Sequence, residues 1–313
     1  MSSRSAVKIG TLTLKNPVMV ASGTFGYAEE FKGFLDLRRL GAVVTKTVTL
    51  HARRGNPAPR TCETPAGMLN SIGLENPGLE DFIARKLPFL KKTGVPVIMS
   101  IAAERSVDEF LTMVERLNAI PEVSAIELNI SCPNVKSDAA GNTIQSARLV
   151  SQDANATYDV VKAVRGVTDK VLITKLSPNV TDIGRIALAA ESAGSDAVAL
   201  INTLGGLCVD IRTRRPKVAS GSGGLSGPAI RPVAVGMVWE AYKKIKIPII
   251  GMGGIMDSAS ALEFIIAGAT AVSVGTANFI NPRATVDIID GLNRYLSENS
   301  IARMSELTGT LQV

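Results

Sequence analysis

Ten consecutive residues, Ala125-Ile126-Glu127-Leu128-Asn129-Ile130-Ser131-Cys132-Pro133-Asn134, place one thiol and two carboxamides at the end of an apolar run. A short stretch of β-formers that breaks into polar residues and closes on proline reads as a strand leaving the core. Amide side chains do not titrate, so Cys132 is the member of this group able to act as base or nucleophile, through its thiolate. The competing reading is a small buried thiol of the ordinary apolar kind. A site is favoured because other apolar runs end in the same polar way.

Those ends are Ala21-Ser22-Gly23, Thr45-Lys46-Thr47, Ser100, Thr174-Lys175-Leu176-Ser177, Asn202-Thr203, Gly251-Met252-Gly253-Gly254 and Gly275-Thr276. Lys46 and Lys175 stand out, because an unpaired ammonium inside an apolar strand costs several kcal/mol or loses its proton. Each requires an anionic or electron-rich partner. A salt bridge to a buried carboxylate such as Glu127 would account for one of them; two aimed at one mouth suggest a bound ligand. The glycines of the last two runs each precede a helical stretch, so that backbone N–H groups and positive helix ends could converge on a phosphate. No G-x-G-x-x-G follows an early strand, which argues against a Rossmann dinucleotide site. A phosphate at one side and a lysine over an electron-rich ring fit flavin mononucleotide (FMN).

The elements that must position these residues follow from the hydrophobic pattern. Eight apolar runs of strand length recur: Val18–Ser22, Ala42–Val48, Val97–Ala102, Ala125–Ser131, Val171–Ser177, Ala197–Thr203, Pro248–Gly254 and Ala271–Ala277. Helix signals lie between most of them. Ser106-Val-Asp-Glu109 reads as a capping box opening a helix to about Asn118, Thr181-Asp182 opens another, Asp257 caps a third, and Gly268 follows its last apolar turn. Near-continuous apolar strands joined by helices imply a parallel sheet covered on both faces, and eight such units close into an α/β protein of the (β/α)₈ TIM-barrel kind. A doubly wound open sheet is the runner-up. The alternation over Val7–Leu14 predicts a small β-hairpin ahead of the barrel. In such a barrel the chemistry gathers where the strands end.

Composition bounds the class. At 313 residues, 46% hydrophobic and 20% charged, the chain is that of an ordinary globular protein, and one barrel domain over 1–313 accounts for its length. The start carries no apolar signal region, and the stretch from Phe264 to Pro282 is too polar for a membrane span. Cys62, Cys132 and Cys208 lie far apart with no C-x-x-C, which argues against a disulfide framework, a zinc site or an iron–sulfur cluster in this chain and suggests a reducing cytoplasm. The net charge of +6 gathers at Arg53, Arg54, Arg60, Arg212, Arg214, Arg215 and Lys217. With aromatics at 4% and no RNA-binding module, small anions or a protein interface suit these loops better than nucleic acid. His51, the single histidine, reads as a surface residue.

Two long excursions reach over the predicted mouth. One runs roughly thirty residues from Thr49, longer than ordinary connections, and carries Asn70-Ser71-Ile72-Gly73-Leu74-Glu75-Asn76-Pro77-Gly78. The other, Leu204–Leu225, ends in a glycine-rich tract. A lid over the site is the functional reading and a disordered surface loop the alternative.

The chain closely resembles the catalytic subunits of class 1B dihydroorotate dehydrogenases. The matching stretches run in order along nearly the whole sequence: Ala21–Gly26, Thr45–Thr47, Gly55–Pro57, Glu63–Gly78, Asn129–Asn134, Lys175–Asn179, Ile201–Thr203, Gly223–Pro228, Gly251–Gly254 and Val274–Thr276. The resemblance implies FMN contacts from Ser22, Lys46, Thr47, Ser100, Asn129, Lys175, Ile201, Gly227, Gly253, Gly254, Gly275 and Thr276. It implies an orotate pocket from Lys46, Asn70, Ser71, Ile72, Gly73, Leu74, Asn129, Asn134, Asn202 and Thr203, with Cys132 as the base. One departure stands out: the family pattern has Asn at the end of the third strand, where this chain has Ser100, and a hydroxyl makes fewer hydrogen bonds than an amide.

By the same resemblance the reaction is oxidation of (S)-dihydroorotate to orotate in pyrimidine synthesis. Cys132 takes the C5 proton, hydride leaves C6 for the flavin, and Lys175 stabilises negative charge on the reduced ring. Electrons would pass to NAD⁺ through a partner subunit carrying FAD and a [2Fe–2S] cluster, with this chain a homodimer inside a heterotetramer. Two other readings are an FMN-dependent tRNA-dihydrouridine synthase and a non-enzymatic barrel that binds a phosphate ligand. The first requires a further helical RNA-binding domain, and after Ala277 the sequence carries about one helix and a short tail.

Overall fold

The computed structural model describes residues 4–131 and 150–313, so Cys132 and Asn134 lie outside the described residues. The eight apolar runs all become strands of one closed parallel barrel. Ahead of it, β1 (Val7–Ile9) and β2 (Leu12–Leu14) form the expected antiparallel hairpin. Gly10 at its turn packs against Asp196, in the loop that leads into a barrel strand, so the hairpin sits at the amino-terminal end of the barrel.

The barrel strands, in chain order, are β3 (Val18–Val20), β4 (Ala42–Val44), β7 (Val97–Ile101), β8 (Val123–Asn129), β9 (Val171–Lys175), β10 (Ala197–Leu200), β15 (Ile249–Gly251) and β16 (Ala271–Val274). Each pairs in parallel with its neighbours, and β16 pairs with β3 to close the ring. Nearly every strand residue is buried, because side chains inside fill the barrel and those outside meet the helices. Several strands stop short of the apolar runs: Ala197–Thr203 ends at Leu200, and Pro248–Gly254 is paired over Ile249–Gly251 only. The residues beyond the last pair turn onto the rim of the barrel.

Connecting helices include Val107–Asn118, Ala154–Arg165, Ile183–Ser192, Arg231–Tyr242 and Ser258–Ile266, and Ala284–Glu298 follows the last strand. The link from β3 to β4 holds only 3₁₀ turns, at Glu29–Phe31 and Leu37–Arg39. Asp182 and Asp257 cap as expected: Asp182 accepts from the N–H of Arg185, and Asp257 accepts from that of Ser260 while the Ser260 hydroxyl accepts from the Asp257 N–H. The capping box expected at Ser106 is not closed. Its hydroxyl turns to Asp108, and Glu109 accepts from the N–H groups of Glu104 and Arg105 instead, gripping the approaching loop one turn earlier.

Both long excursions are ordered into one antiparallel sheet rather than a disordered loop. Residues between β4 and β7 supply β5 (Thr61–Thr64) and β6 (Gly67–Asn70); those between β10 and β15 supply β11 (Leu204–Gly206) and β14 (Gly223–Ser226). The order is β11-β14-β6-β5, with Leu225 paired to both Leu204 and Leu69. A small outer hairpin of β12 (Val209–Asp210) and β13 (Arg215–Pro216) carries exposed Arg212, Arg214, Arg215 and Lys217. Among the described residues no helix is long and apolar enough to cross a membrane.

The capping geometry sets an expected difference. Asp257→Ala should destabilise the protein by ~1 kcal/mol, the usual value of a lost N-cap bond, whereas Ser106→Ala should change stability by no more than ~0.5 kcal/mol. Urea unfolding of the two variants checks this, and equal losses would contradict the assignment.

Candidate active site

Strand register delivers the polar residues to one end of the ring. In β8 and β9, Asn129 lies beside Lys175 and Glu127 beside Ile173; in β7, Ser100 lies beside Glu127. Residues two apart on a strand share a face, so Glu127 and Asn129 point the same way, with Asn129 nearer the rim. There a cavity of about 440 Å³ opens, within the range of small-molecule sites. Its wall includes Ser22, Lys46, Thr47, Asn129, Lys175 and Ile201, with Asn70, Ile72, Gly73 and Leu74 from the first excursion. Asn202, Thr203, Gly227, Gly253, Gly254, Gly275 and Thr276 line it too.

The two lysines reach the cavity from different depths. Lys175 is 4% exposed, and among the described residues no carboxylate comes within ion-pair distance of it. Glu127, the carboxylate that could have paired with it, instead accepts from the Ser100 hydroxyl at 2.8 Å. Lys46 is half-buried, and burial holds its ammonium below the usual lysine range, partly opposed by Glu75 and reinforced by Arg60. Arg60 is itself ion-paired with Glu75, so the mouth carries a local cluster of charge rather than a free basic patch.

Behind the wall runs a continuous set of hydrogen bonds. Thr47 Oγ1 lies 2.9 Å from Asn129 Nδ2, 2.9 Å from Ser100 Oγ and 3.0 Å from Ser22 Oγ. Asn129 Oδ1 accepts from the hydroxyl and the N–H of Ser131, and Asn202 Nδ2 donates to Ser131 Oγ at 2.9 Å and Ser131 O at 3.3 Å. Two expected wall residues do not line the cavity. Ser100 is fully buried, its hydroxyl taken up by Thr47 and Glu127. Ser71 faces away, bonding Asn56 and Ser220. Alternation explains the latter: with Asn70 and Ile72 aimed at the cavity, the residue between them points to the other side.

The glycines form a cradle whose demands differ. Gly253 has φ +128°, and a Cβ there would stand 2.8 Å from that of Ala234, so the backbone itself requires glycine. At Gly275 a Cβ would meet only Ala21 and Thr24, at 3.6 and 3.8 Å. Glycine there keeps the cavity open instead of relieving the protein. Among the described residues no backbone carbonyl accepts from the N–H groups of Gly253, Gly254, Gly275 or Thr276, which leaves them for an anion. After β15, Asp257 caps the helix beginning at Ser258. The Ser273 hydroxyl, in the cavity wall, is buried with no partner among the described residues. Open space, free N–H groups and an orphaned hydroxyl together fit a phosphate-bearing ring ligand.

Sequence reading missed several wall residues. Glu75 was passed over as part of a loop, Thr61 and Met68 come from the unforeseen β5–β6 hairpin, and Phe279 is a half-exposed aromatic that only the structure brings to the rim. His51 is exposed, as expected. Cys62 on β5 and Cys208 in the loop after β11 lie beside each other as free, partly buried thiols, and burial together with the neighbouring thiol pushes the Cys62 pKa up.

Comparison with known proteins narrows the chemistry. The sequence profile of the dihydroorotate dehydrogenase family matches residues 4–296. The chain is 51% identical over 312 residues to a protein of Trichlorobacter lovleyi, with all of both chains covered, and 52% identical over 309 residues to one of Desulforudis audaxviator, covering 99% of this chain and 98% of the other. A Geotalea uraniireducens protein is 50% identical, covering 98% and 97%. Each of the three is named the catalytic subunit of dihydroorotate dehydrogenase B (NAD⁺). These matches support neither the tRNA-modifying reading nor the non-enzymatic one.

The cradle geometry separates two kinds of glycine. In the ligand-free protein Gly253→Ala should lose ~1–3 kcal/mol through its left-handed backbone, while Gly275→Ala should stay within ~0.5 kcal/mol of the parent. Denaturant midpoints decide it; a large loss at Gly275 would mean that glycine serves packing and not the cavity.

Proposed function

The chain belongs to the dihydroorotate dehydrogenase family, and we propose that it is the FMN-containing catalytic subunit of a class 1B enzyme, a single barrel domain that oxidises (S)-dihydroorotate to orotate. The observation that carries this reading is the meeting, in one cavity, of a glycine cradle with free N–H groups and a wall of amide side chains and two lysines. Gly253, Gly254, Gly275 and Thr276 would hold the phosphate of FMN. Ser22, Thr47, Ile201 and Gly227 would border its ring system, with Lys175 supplying the positive charge at its edge. When bound, the flavin supplies an acceptor for two electrons.

The substrate side follows from the amides. Asn70, Asn129 and Asn202, together with Ile72–Leu74 and Thr203, would hold a ring that alternates donors and acceptors, and Lys46 its carboxylate. Buried amides left unpaired are costly, so such a wall selects a ring that satisfies them. The proton at C5 would go to Cys132, which follows Ser131 in the chain and matches the family's base; Asn134 would join the amides. Both residues enter through the family resemblance.

The relatives' designation as catalytic subunits supports a second subunit. We assign to it the FAD and the [2Fe–2S] cluster, since the three cysteines here have no cluster spacing, and NAD⁺ as final acceptor, in a heterotetramer built on a homodimer of this chain. Free thiols at Cys62 and Cys208 suit a reducing cytoplasm.

The purified chain should be yellow, bleach on addition of dihydroorotate, and pass electrons to an artificial dye while forming negligible NADH until the partner is added. NADH formation by the isolated chain at a comparable rate would overturn the two-subunit assignment. Cys132→Ala should keep its flavin yet slow bleaching by at least ~10²-fold; near-normal bleaching would remove Cys132 from the role of base.

Lys46 yields a pH dependence. Its ammonium is held below the ordinary lysine range, and an anionic ligand favours the charged form. Orotate affinity should therefore be full while Lys46 is protonated and fall as pH rises through this lowered value, before an ordinary lysine would titrate. Lys46→Arg, charged throughout, should flatten the fall. Titrations of flavin absorbance with orotate across alkaline pH test it, and a profile unchanged in the Arg variant would clear Lys46 of the effect.

A further inference from the structure

Two buried residues that touch nothing in the cavity determine what its wall can offer. Glu127 is 1% exposed and Ser100 fully buried, and neither borders the cavity. The Ser100 hydroxyl donates to Glu127 Oε1 at 2.8 Å, which commits its single proton to Glu127. The Ser100 oxygen is then free only to accept, and Thr47, 2.9 Å away, must donate to it. With its single proton spent, Thr47 Oγ1 can only accept from its remaining neighbours, Asn129 and Ser22.

The sense of the chain thus fixes the Asn129 amide. The atom 2.9 Å from Thr47 must be nitrogen, and the amide oxygen must face Ser131, whose N–H at 3.4 Å agrees with that placement. Ser131 Oγ donates onward to Asn129 Oδ1 and accepts from Asn202 Nδ2, so the Asn202 amide is oriented too. Its oxygen already accepts from the Thr203 N–H at 2.8 Å and keeps one lone pair. What this part of the wall has left to offer is one N–H from Asn129 and a lone pair from Asn202. That is the complement of a ring carrying a carbonyl next to an N–H.

We propose that Glu127 and Ser100 are positioning residues that set the hydrogen-bond sense of the cavity wall and so select the ring amides of the substrate. This inference rests on the functional reading above. Were the chain released, the Thr47 hydroxyl could turn and the Asn129 amide could rotate, exchanging donor for acceptor at the ligand.

The test compares two ligands on the flavin-loaded protein by absorbance titration: orotate, whose ring reads the amides, and benzoate, which has a carboxylate and no ring amide. Ser100→Ala, which cuts the chain, should reduce the preference for orotate over benzoate by at least ~10-fold, the scale of one misoriented buried amide. Glu127→Gln should reduce it by a smaller factor of about three, because an amide can still present an acceptor to Ser100. Equal weakening of both ligands would mark a general distortion of the cavity, and an unchanged preference would mean the chain sets nothing; either result overturns the proposal. Should Ser100→Ala fail to retain flavin, the isosteric Glu127→Gln decides by the same ratio. A parent protein that binds no orotate would remove the functional reading itself, a result distinct from a parent that binds it and variants that do so equally well.

Discussion

Closing eight parallel strands into a ring is the constraint from which the site follows. All strands run the same way, so all their carboxyl ends open on one side, and each last residue faces a neighbour at fixed register. Asn129 stands beside Lys175 because β8 and β9 pair there, and Ser100 stands beside Glu127 because β7 and β8 do. The interior must be filled, and over most of its depth it is filled by apolar side chains. Toward the mouth the filling becomes polar, and there every buried group requires a partner. The chain from Asn202 to Glu127 meets that requirement while leaving a few donors and acceptors aimed at the cavity.

Much of this was legible in the residues. The eight apolar runs all proved to be barrel strands, since a strand buried on both faces must be apolar almost throughout. Their ends were less legible. Ile201, Asn202 and Thr203 extend an apolar run in composition, yet pairing stops at Leu200 and the chain bends onto the rim. Ile201 is as buried as the strand, and the N–H groups of Ile201 and Asn202 still bond to neighbouring runs, so hydrophobic pattern alone does not mark where the regular ladder ends. The caps divide for a similar reason. Asp257 and Ser260 bond each other, whereas Glu109 is drawn to the loop at Glu104 and Arg105, a preference that composition does not encode.

The outer sheet was not legible at all. Its strands are short and rich in glycine, as in Leu204–Gly206 and Gly223–Ser226, and show no alternation to signal a strand. They hold because they pair across excursions separated by more than a hundred and forty residues, as with Leu69 and Leu225. Non-local pairing of this kind leaves no local trace. It nonetheless shapes the site, carrying Asn70 and Met68 on one strand and Ser226 on its neighbour to the cavity. Parity on a strand likewise decides that Ser71 turns from the ligand between two residues that face it, and the direction of Ser100 became plain only once Thr47 and Glu127 were seen to occupy its hydroxyl.

The two lysines show how such a wall couples ligand to fold. Lys175 is almost wholly buried with no carboxylate partner among the described residues, and burying an unpaired ammonium is unfavourable by several kcal/mol. Replacing it by an apolar residue would relieve that cost and remove the charge that holds an anion. Lys46 has its ammonium disfavoured by burial and only partly answered by Glu75. On the proposed reading a flavin would answer Lys175 and the substrate's carboxylate would answer Lys46. Their binding free energy therefore includes the relief of charges that folding had left unsatisfied, and the native state gains the same increment in stability when the cavity fills. Affinity for the ligand and strain in the empty wall are one free energy measured from two directions, which is why the residues least favourable to the fold are those that define the site.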